Sequence, residues 1–347
     1  IMNFISNLHL LFCFFIFIVF SSCKNYSQKD IWQKERNNII NVHKHIVEIP
    51  MEEVMIGASV KICLLDSVFI VGDGRGYDKL IHLFNKNTFK YLTSTTTLGQ
   101  GPKEITQLGE IVPNEKEGKF YVFDSGKQRI HSFDLDSLLN NPNYVFTTKA
   151  KLDGKIYPSF CHYMADTFSI VKLLDFSEGR GASETCGKWN MLTGKFVAGY
   201  KHPIAQKGRL RTAAYEFVGS KKDSIYVMCS RFHDLMIICN LDGSLKCNVY
   251  GPNWDEDMPK TRTYHYNMDV EIGGSKIFAL YSGKELRPPK EGYPTQILIF
   301  DIDGNYLKTL ETGYQILKLC YDEECHRLIL FSYDDIQFGY LDLEGII

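Results

Sequence analysis

The sequence predicts an all-β fold, a six-bladed β-propeller of four-stranded antiparallel blades whose last blade is closed by the N-terminal strand. A strand-turn-strand pattern recurs about six times along the 347 residues. Strand-forming residues are abundant, with 23 Phe and 20 Tyr beside frequent Val, Ile and Thr. After residue 41, no segment longer than about ten residues combines helical periodicity with caps.

The repeated unit is an apolar strand, a tight turn carrying Asn or Asp, and usually the start of a second strand. The copies are LIHLFNKNTFKYLTS from 80, RIHSFDLDSL from 129, KWNMLTGKFVAGY from 188, MIICNLDGSLKCNVYG from 236, ILIFDIDGNYLKTL from 297 and FGYLDLEGII from 338. Asp242-Gly243, Thr193-Gly194 and Asp303-Gly304 place glycine where two-residue hairpins need positive φ. One or two further strand-like runs precede each copy, which gives four strands per blade.

The last copy has only two residues after its turn, at Glu344-Gly345, so the sixth blade lacks its fourth strand. An unpaired edge of this kind invites aggregation. Residues 44–56, KHIVEIPMEEVMI, are strand-like and belong to no other blade. We therefore expect them to supply the outer strand of the sixth blade.

The N-terminus is typical of a targeting segment. The apolar run LLFCFFIFIVF, residues 10–20, is short for a membrane-spanning helix of about 20 residues and fits a signal-peptide core. FSSC, ending at Cys23, resembles the lipobox of bacterial lipoproteins, which implies that Cys23 carries lipid. Phe20 replaces the usual Leu and no Lys or Arg precedes Leu10, so an uncleaved anchor helix stays open as the alternative.

These patterns divide the chain into a lipoprotein-type signal (1–22), a polar tether (23–43) and a propeller domain (44–347). We expect an extracytoplasmic protein, held by the lipid on Cys23 to the cell envelope, at the outer membrane. Net charge of −2, without a Lys/Arg stripe, argues against a nucleic-acid partner.

Cysteines inside apolar runs, such as Cys63, Cys229 and Cys239, are interpreted as small buried hydrophobes. Cys320 and Cys325 flank YDEE, a predicted turn, and a disulfide between them stays open in an oxidising compartment. No His/Cys cluster has zinc-ligand spacing, so no metal site is predicted from motifs.

Four stretches resemble a known family: LGQGPKEI (98–105), KFYVFDSGKQRIHSFD (119–134), VYGPNWDED (249–257) and YLDLEG (340–345). They are similar to the TolB-like six-bladed propeller lipoproteins of Bacteroides-type bacteria, over about residue 46 to the C-terminus together with the signal. The resemblance implies an envelope lipoprotein and assigns no catalytic residue.

Candidate ligand-binding residues lie in inter-strand loops and inner strands, which meet at the faces and the central channel of a propeller. They are Lys103 and Glu104 in GQGPKE, His162 in FCHYM, Arg231 and His233 in SRFHD, and Arg262, Tyr264 and His265 in TRTYHYN. The alternatives are a structural corner for GQGPKE and solvated loops for the others. The stretches GDGRG at Gly72 and DIDG at Asp301 are interpreted as turns rather than a phosphate loop or a calcium loop.

Two functions follow from these patterns. The first is a noncatalytic lipoprotein whose propeller binds an envelope protein or a glycan, with the insertion at 281–296 as a partner-binding loop. The second is an extracytoplasmic lyase or hydrolase with a metal or a His/carboxylate set in the channel. No cofactor is predicted, and Ca²⁺ in the central channel is the one ion kept as a candidate.

Overall fold

The computed structural model describes residues 29–175, 183–206, 214–255, 264–287 and 291–347. It contains six sheets, one for each predicted blade, each with four antiparallel strands and two of them with a fifth, parallel strand, so the predicted all-β six-bladed propeller is confirmed. The signal segment and Cys23 lie outside the described residues.

Three short strands precede the first complete blade: β1 (Lys29–Trp32), β2 (Ile39–Asn41) and β3 (Ile46–Glu48). Blade 1 contains β4 (Val60–Leu65), β5 (Val68–Asp73), β6 (Ile81–Asn85) and β7 (Tyr91–Thr95). Blade 2 contains β8 (Leu108–Asn114), β9 (Lys119–Asp124), β10 (Arg129–Asp134) and β11 (Thr147–Lys151), with helix α1 (Leu135–Asn140) before β11. Blade 3 contains β12 (Ile156–Ala165), β13 (Phe168–Asp175), β14 (Ser183–Trp189) and β15 (Phe196–Ala198), and helix α2 (Pro203–Gln206) follows.

The remaining blades repeat this order. Blade 4 contains β16 (Tyr215–Ser220), β17 (Ile225–Ser230), β18 (Leu235–Asn240) and β19 (Leu245–Tyr250). Blade 5 contains β20 (Tyr264–Gly273), β21 (Lys276–Glu285), β22 (Gln296–Asp301) and β23 (Tyr306–Glu311). Blade 6 contains β24 (Ile316–Asp322), β25 (Arg327–Ser332) and β26 (Phe338–Asp342), and it is completed by β3.

The N-terminal strands run along the outer edges of three successive blades. β1 pairs in parallel with β19 of blade 4, and β2 pairs in parallel with β23 of blade 5. β3 pairs antiparallel with β26, with Val47 opposite Tyr340, so the predicted closure of blade 6 is confirmed. The described part of the 23–43 stretch is thus paired to the propeller; we call residues 29–48 the strap.

The core lies between the blades rather than inside any one sheet. Every residue of the second strands β5, β17 and β25 is buried, because both faces of these strands pack against neighbouring blades. Gly243 and Gly304 have φ of 95° and 88°, so both predicted Asp-Gly turns use the positive φ that glycine permits.

The open disulfide question is resolved by the register of blade 6. Cys320 lies opposite Ile329 in the β24–β25 pair, and Cys325 lies in the turn, where it is exposed. Both thiols are free because they do not face one another.

Candidate functional site

The first strands of all six blades, called the inner strands, surround a central channel with two cavities. The lower cavity, about 530 Å³, extends to the turns between first and second strands, including Asn114 and Lys221. The upper cavity, about 310 Å³, lies beside the opposite loops at Ala58 and Gly74. Both volumes fall in the range of small-molecule sites.

Both cavities are lined by Lys61, Phe160 and Lys318, which we call the neck. The ammonium nitrogens of Lys61 and Lys318 lie 5.2 Å and 6.0 Å from the centre of the Phe160 ring. A third ammonium, that of buried Lys172, lies 4.4 Å from the same ring centre. The ring quadrupole attracts each of these cations, which helps to hold three like charges around one side chain.

Each neck lysine has a carboxylate partner on a neighbouring blade. Lys61 donates to Glu110 over 2.8 Å, and Lys318 donates to Asp269 over 2.9 Å. Burial alone would lower the pKa of Lys318, but Asp269 and Glu216 outweigh burial and hold it above its ordinary value. The two neck lysines therefore form ion pairs that link blade 1 to blade 2 and blade 5 to blade 6.

β-Bulges position the side chains of the neck. The strand register shifts between Pro158 and Phe160 in β12 and between Ile316 and Lys318 in β24. Comparable shifts occur in β20 just before Asp269 and in β8 at the step that contains Glu110. The register shifts of four inner strands therefore lie beside the neck and its carboxylate partners. Bulges of this kind re-aim side chains and are common next to functional sites.

Arg231 lines the upper cavity together with Glu216. The guanidinium forms an ion pair with the Glu216 carboxylate, which is buried. Burial raises the pKa of Glu216, but Arg231, Lys318 and Lys172 outweigh this effect and hold it below its usual range. The predicted candidate Arg231 thus lies at the upper end of the channel.

The lower cavity contains two groups with displaced pKa values. Burial raises the pKa of Glu271 to about 8, against a hydrogen bond of 2.9 Å from the Ile272 amide. Burial lowers the pKa of His162 to about 4. At neutral pH both side chains are therefore mainly uncharged, although each lines the lower cavity.

Lys103 and Glu104 lie in an ordered corner between blades 1 and 2. The Glu104 carboxylate accepts a hydrogen bond from the Gly101 amide over 2.7 Å. Lys127 donates to the carbonyls of Gly101 and Glu104 over 2.6 and 2.8 Å. The Glu104 carboxylate is therefore used in a hydrogen bond within its own loop, which fits the structural-corner alternative. The Lys103 side chain is exposed.

His233 and His265 do not line either cavity. His233 is buried, and its ring centre lies 5.7 Å from that of Trp254. The ring of His265 lies 5.3 Å from that of Phe232. Tyr264 begins β20, but its side chain lies outside the described residues, as does all of Arg262.

The neck residues were missed because each occurs alone in an apolar strand. One signal was present in the sequence: Lys61 and Cys63 in β4 recur as Lys318 and Cys320 in β24, each pair separated by one aliphatic residue. Equivalent positions of two inner strands face one axis in a propeller. The repeat could therefore have placed the two lysines together.

In the described part of the chain, no three His, Cys, Asp or Glu side chains are grouped closely enough to hold a metal ion. No helix among the described residues has the length and apolar character needed to cross a membrane.

Comparisons with known proteins agree with the fold. No curated protein matches the sequence. A member of the DUF4221 family from Bacteroides vulgatus superposes with a TM-score of 0.56 at 10% identity, covering 86% of this chain and 95% of that one. A calcium-binding protein, regucalcin, from Agrobacterium tumefaciens superposes with a TM-score of 0.51 at 9% identity, covering 88% and 95%. The family described as TolB-like 6-blade propeller-like matches residues 38–324, and the chain belongs to this family.

Proposed function

We propose that this protein is an envelope-anchored lipoprotein that binds a protein or glycan partner at the upper face of its propeller, without catalysing a reaction. One observation carries the proposal. Large apolar side chains are exposed on loops of the upper face: Met55 by 88%, Tyr77 by 100% and Leu98 by 55%. Exposed apolar groups on one face are characteristic of interaction sites.

The loops that carry Met55 and Tyr77 form one surface. The Gly74 amide donates to the Ser59 carbonyl over 2.9 Å, and the Gly57 amide donates to the Asp73 carboxylate over 2.7 Å. Ala58, Ser59 and Gly74 also line the upper cavity. A partner on this surface would therefore cover the upper mouth of the channel.

Partner capture from solubilised envelopes tests the binding site. The bait is the full chain, compared with the double variant Met55→Ser/Tyr77→Ser and with Leu192→Ser, which removes an exposed apolar side chain in the turn between β14 and β15 on the lower face. We expect the wild type and Leu192→Ser to retain the same partner and the double variant to lose it. Equal capture by all three would reject the upper face as the site, and a glycan array with the same variants distinguishes a sugar from a protein.

The anchor is tested separately. Growth with an alkyne-bearing fatty acid should label the wild type, and Cys23→Ala should lose the label and leave the membrane fraction. Labelling that survives Cys23→Ala would contradict lipidation at this residue.

A lyase or hydrolase is the second candidate, favoured by the displaced pKa values of Glu271 and His162 in one cavity. Glu271→Gln should abolish turnover of any polysaccharide or lactone that the wild type cleaves. Turnover unchanged in this variant would remove Glu271 from such a mechanism. Ca²⁺ in the channel stays a prediction, and thermal melts before and after a chelator check it.

A further inference from the structure

The neck offers hydrogen-bond donors that its present contacts do not use. An ammonium carries three donors. Among the described residues, Lys61 donates one hydrogen bond, to Glu110, and Lys318 donates one, to Asp269. Their side chains are 30% and 25% exposed, and both line each cavity. Free donors of both ammoniums are therefore accessible from the channel.

The charge around the neck does not repel an anion. Lys61, Lys318 and buried Lys172 surround Phe160 within 6.0 Å of its centre. The carboxylate partners of the two accessible lysines are directed at those lysines, and Lys172 has Glu184 at 3.6 Å. The paired charges balance, so binding here depends on directed donors more than on net charge.

The upper cavity offers apolar walls beside the neck. They include Leu108, Met268, Leu317 and Phe331 in addition to Phe160, next to the Glu216–Arg231 ion pair. A ligand that places an anionic group between the lysines and an apolar body in this cavity satisfies both kinds of surface. The volume of about 310 Å³ restricts that body to a small molecule.

We propose that the neck binds a small organic carboxylate, with its carboxylate between Lys61 and Lys318 and its apolar or aromatic body against Phe160 in the upper cavity. The inference deepens the proposed function, because it gives the binding protein a small-molecule ligand beneath its partner surface. A ligand there would lie directly under the loops that carry Met55 and Tyr77.

Calorimetric titration of the full chain tests the proposal with four probes: sodium benzoate, sodium octanoate, inorganic phosphate and benzyl alcohol. We expect saturable binding of one or both carboxylates and none of phosphate or benzyl alcohol. Phosphate binding as tight as the carboxylates would show an anion site without a need for the apolar body, and would overturn the ligand class. No saturable carboxylate binding at millimolar concentrations would overturn the site itself.

Variants locate the binding. Lys318→Met should weaken carboxylate binding at least about tenfold, since it removes a charge-assisted hydrogen bond. Lys34→Met removes one exposed positive charge from the strap and should leave the affinity unchanged. Lys61→Met/Glu110→Leu removes both members of an ion pair and leaves no buried charge unpaired. We expect this double variant to fold and to bind the carboxylate ligand more weakly than the wild type. Retained affinity in a folded Lys61 or Lys318 variant would overturn the proposal.

The two proposals fail independently. Neck variants that no longer bind the carboxylate ligand but still capture the envelope partner would support the neck site. They would also show that the partner surface is intact. A protein that binds no carboxylate but loses its partner in Met55→Ser/Tyr77→Ser would refute only the neck site.

Discussion

The Arg36 guanidinium lies 2.9 Å from the Asp234 carboxylate, so the strap forms a buried ion pair with blade 4. Arg36 also packs over the ring of Tyr281 in blade 5, 5.0 Å from its centre. Asp234 accepts further hydrogen bonds from the Asn253 amide and the Tyr281 hydroxyl. One arginine of the strap therefore joins two blades.

Removing this arginine should loosen the strap. We expect Arg36→Met to lower the free energy of unfolding by about 2 kcal/mol, because Asp234 would stay buried with only neutral donors. Denaturant unfolding measures the change. Lys34→Met, an exposed position on the same strap, is the matched control and should change little. A loss as large in Lys34→Met as in Arg36→Met would count against a specific role of the ion pair.

A second buried network joins blade 6 to blade 1. The Asp322 carboxylate receives two hydrogen bonds from Arg327, of 3.1 and 3.0 Å, and lies 3.5 Å from the Lys86 ammonium. Asp322→Asn should lower the free energy of unfolding by about 3 kcal/mol, because two buried cations would lose their shared anion.

The same lysine supplies the control for this network. Lys86 also pairs with Glu324, whose side chain is 73% exposed against 1% for Asp322. Glu324→Gln should cost less than about 1 kcal/mol, since water screens exposed pairs. Equal losses in the two variants by urea unfolding would show that burial does not determine the contribution.

The strand β3 should be essential for closing the ring. Val47→Pro removes a backbone donor inside β3 and should destabilise the protein by about 2 kcal/mol through the lost pairing with β26. Val47→Thr keeps the strand and, at this half-exposed position, should cost no more than about 0.5 kcal/mol. Thermal melts of both variants compare the effects, and an unchanged midpoint in Val47→Pro would contradict the closure.

Glu271 should make stability fall as pH rises. Its pKa in the folded protein is about 8 against an ordinary 4.5, so between these values the native state binds the extra proton and loses stability with increasing pH. His162 acts in the opposite sense between about 4 and 6.5, where its neutral native form gains stability as pH rises. Above pH 6.5 the contribution of His162 no longer changes with pH, so only that of Glu271 varies.

Glu271→Gln isolates the carboxyl in the window from pH 6.5 to 8. Relative to this variant, the wild type should lose about 1 kcal/mol across the window, a value reduced because Glu271 lines an open cavity. Urea unfolding at both pH values gives the difference. A constant difference between wild type and variant would indicate an ordinary pKa for Glu271.

The repeat made most of the fold predictable. Alternating apolar strands and Asp-Gly turns are local properties, and the expected partner of the last strand within residues 44–56 is found as β3. The candidate site was less predictable. Polar loops such as SRFHD contain several candidate ligands in sequence, whereas Lys61 and Lys318 are single charges in apolar strands. Of the candidate residues proposed from sequence, His162 and Arg231 line the channel cavities.

The sequence by itself determined the blade count, the strand order and the closure of blade 6, since each follows from periodicity and turn chemistry. Only the tertiary structure decided which side chains meet at the axis. The bulges before Phe160, Asp269 and Lys318 depend on how inner strands from different blades pack together, and apart from the Lys-x-Cys repeat of β4 and β24 no local pattern indicates that convergence. The neck is therefore a property of the assembled ring, because its charges come from strands separated by up to 257 residues, from Lys61 to Lys318.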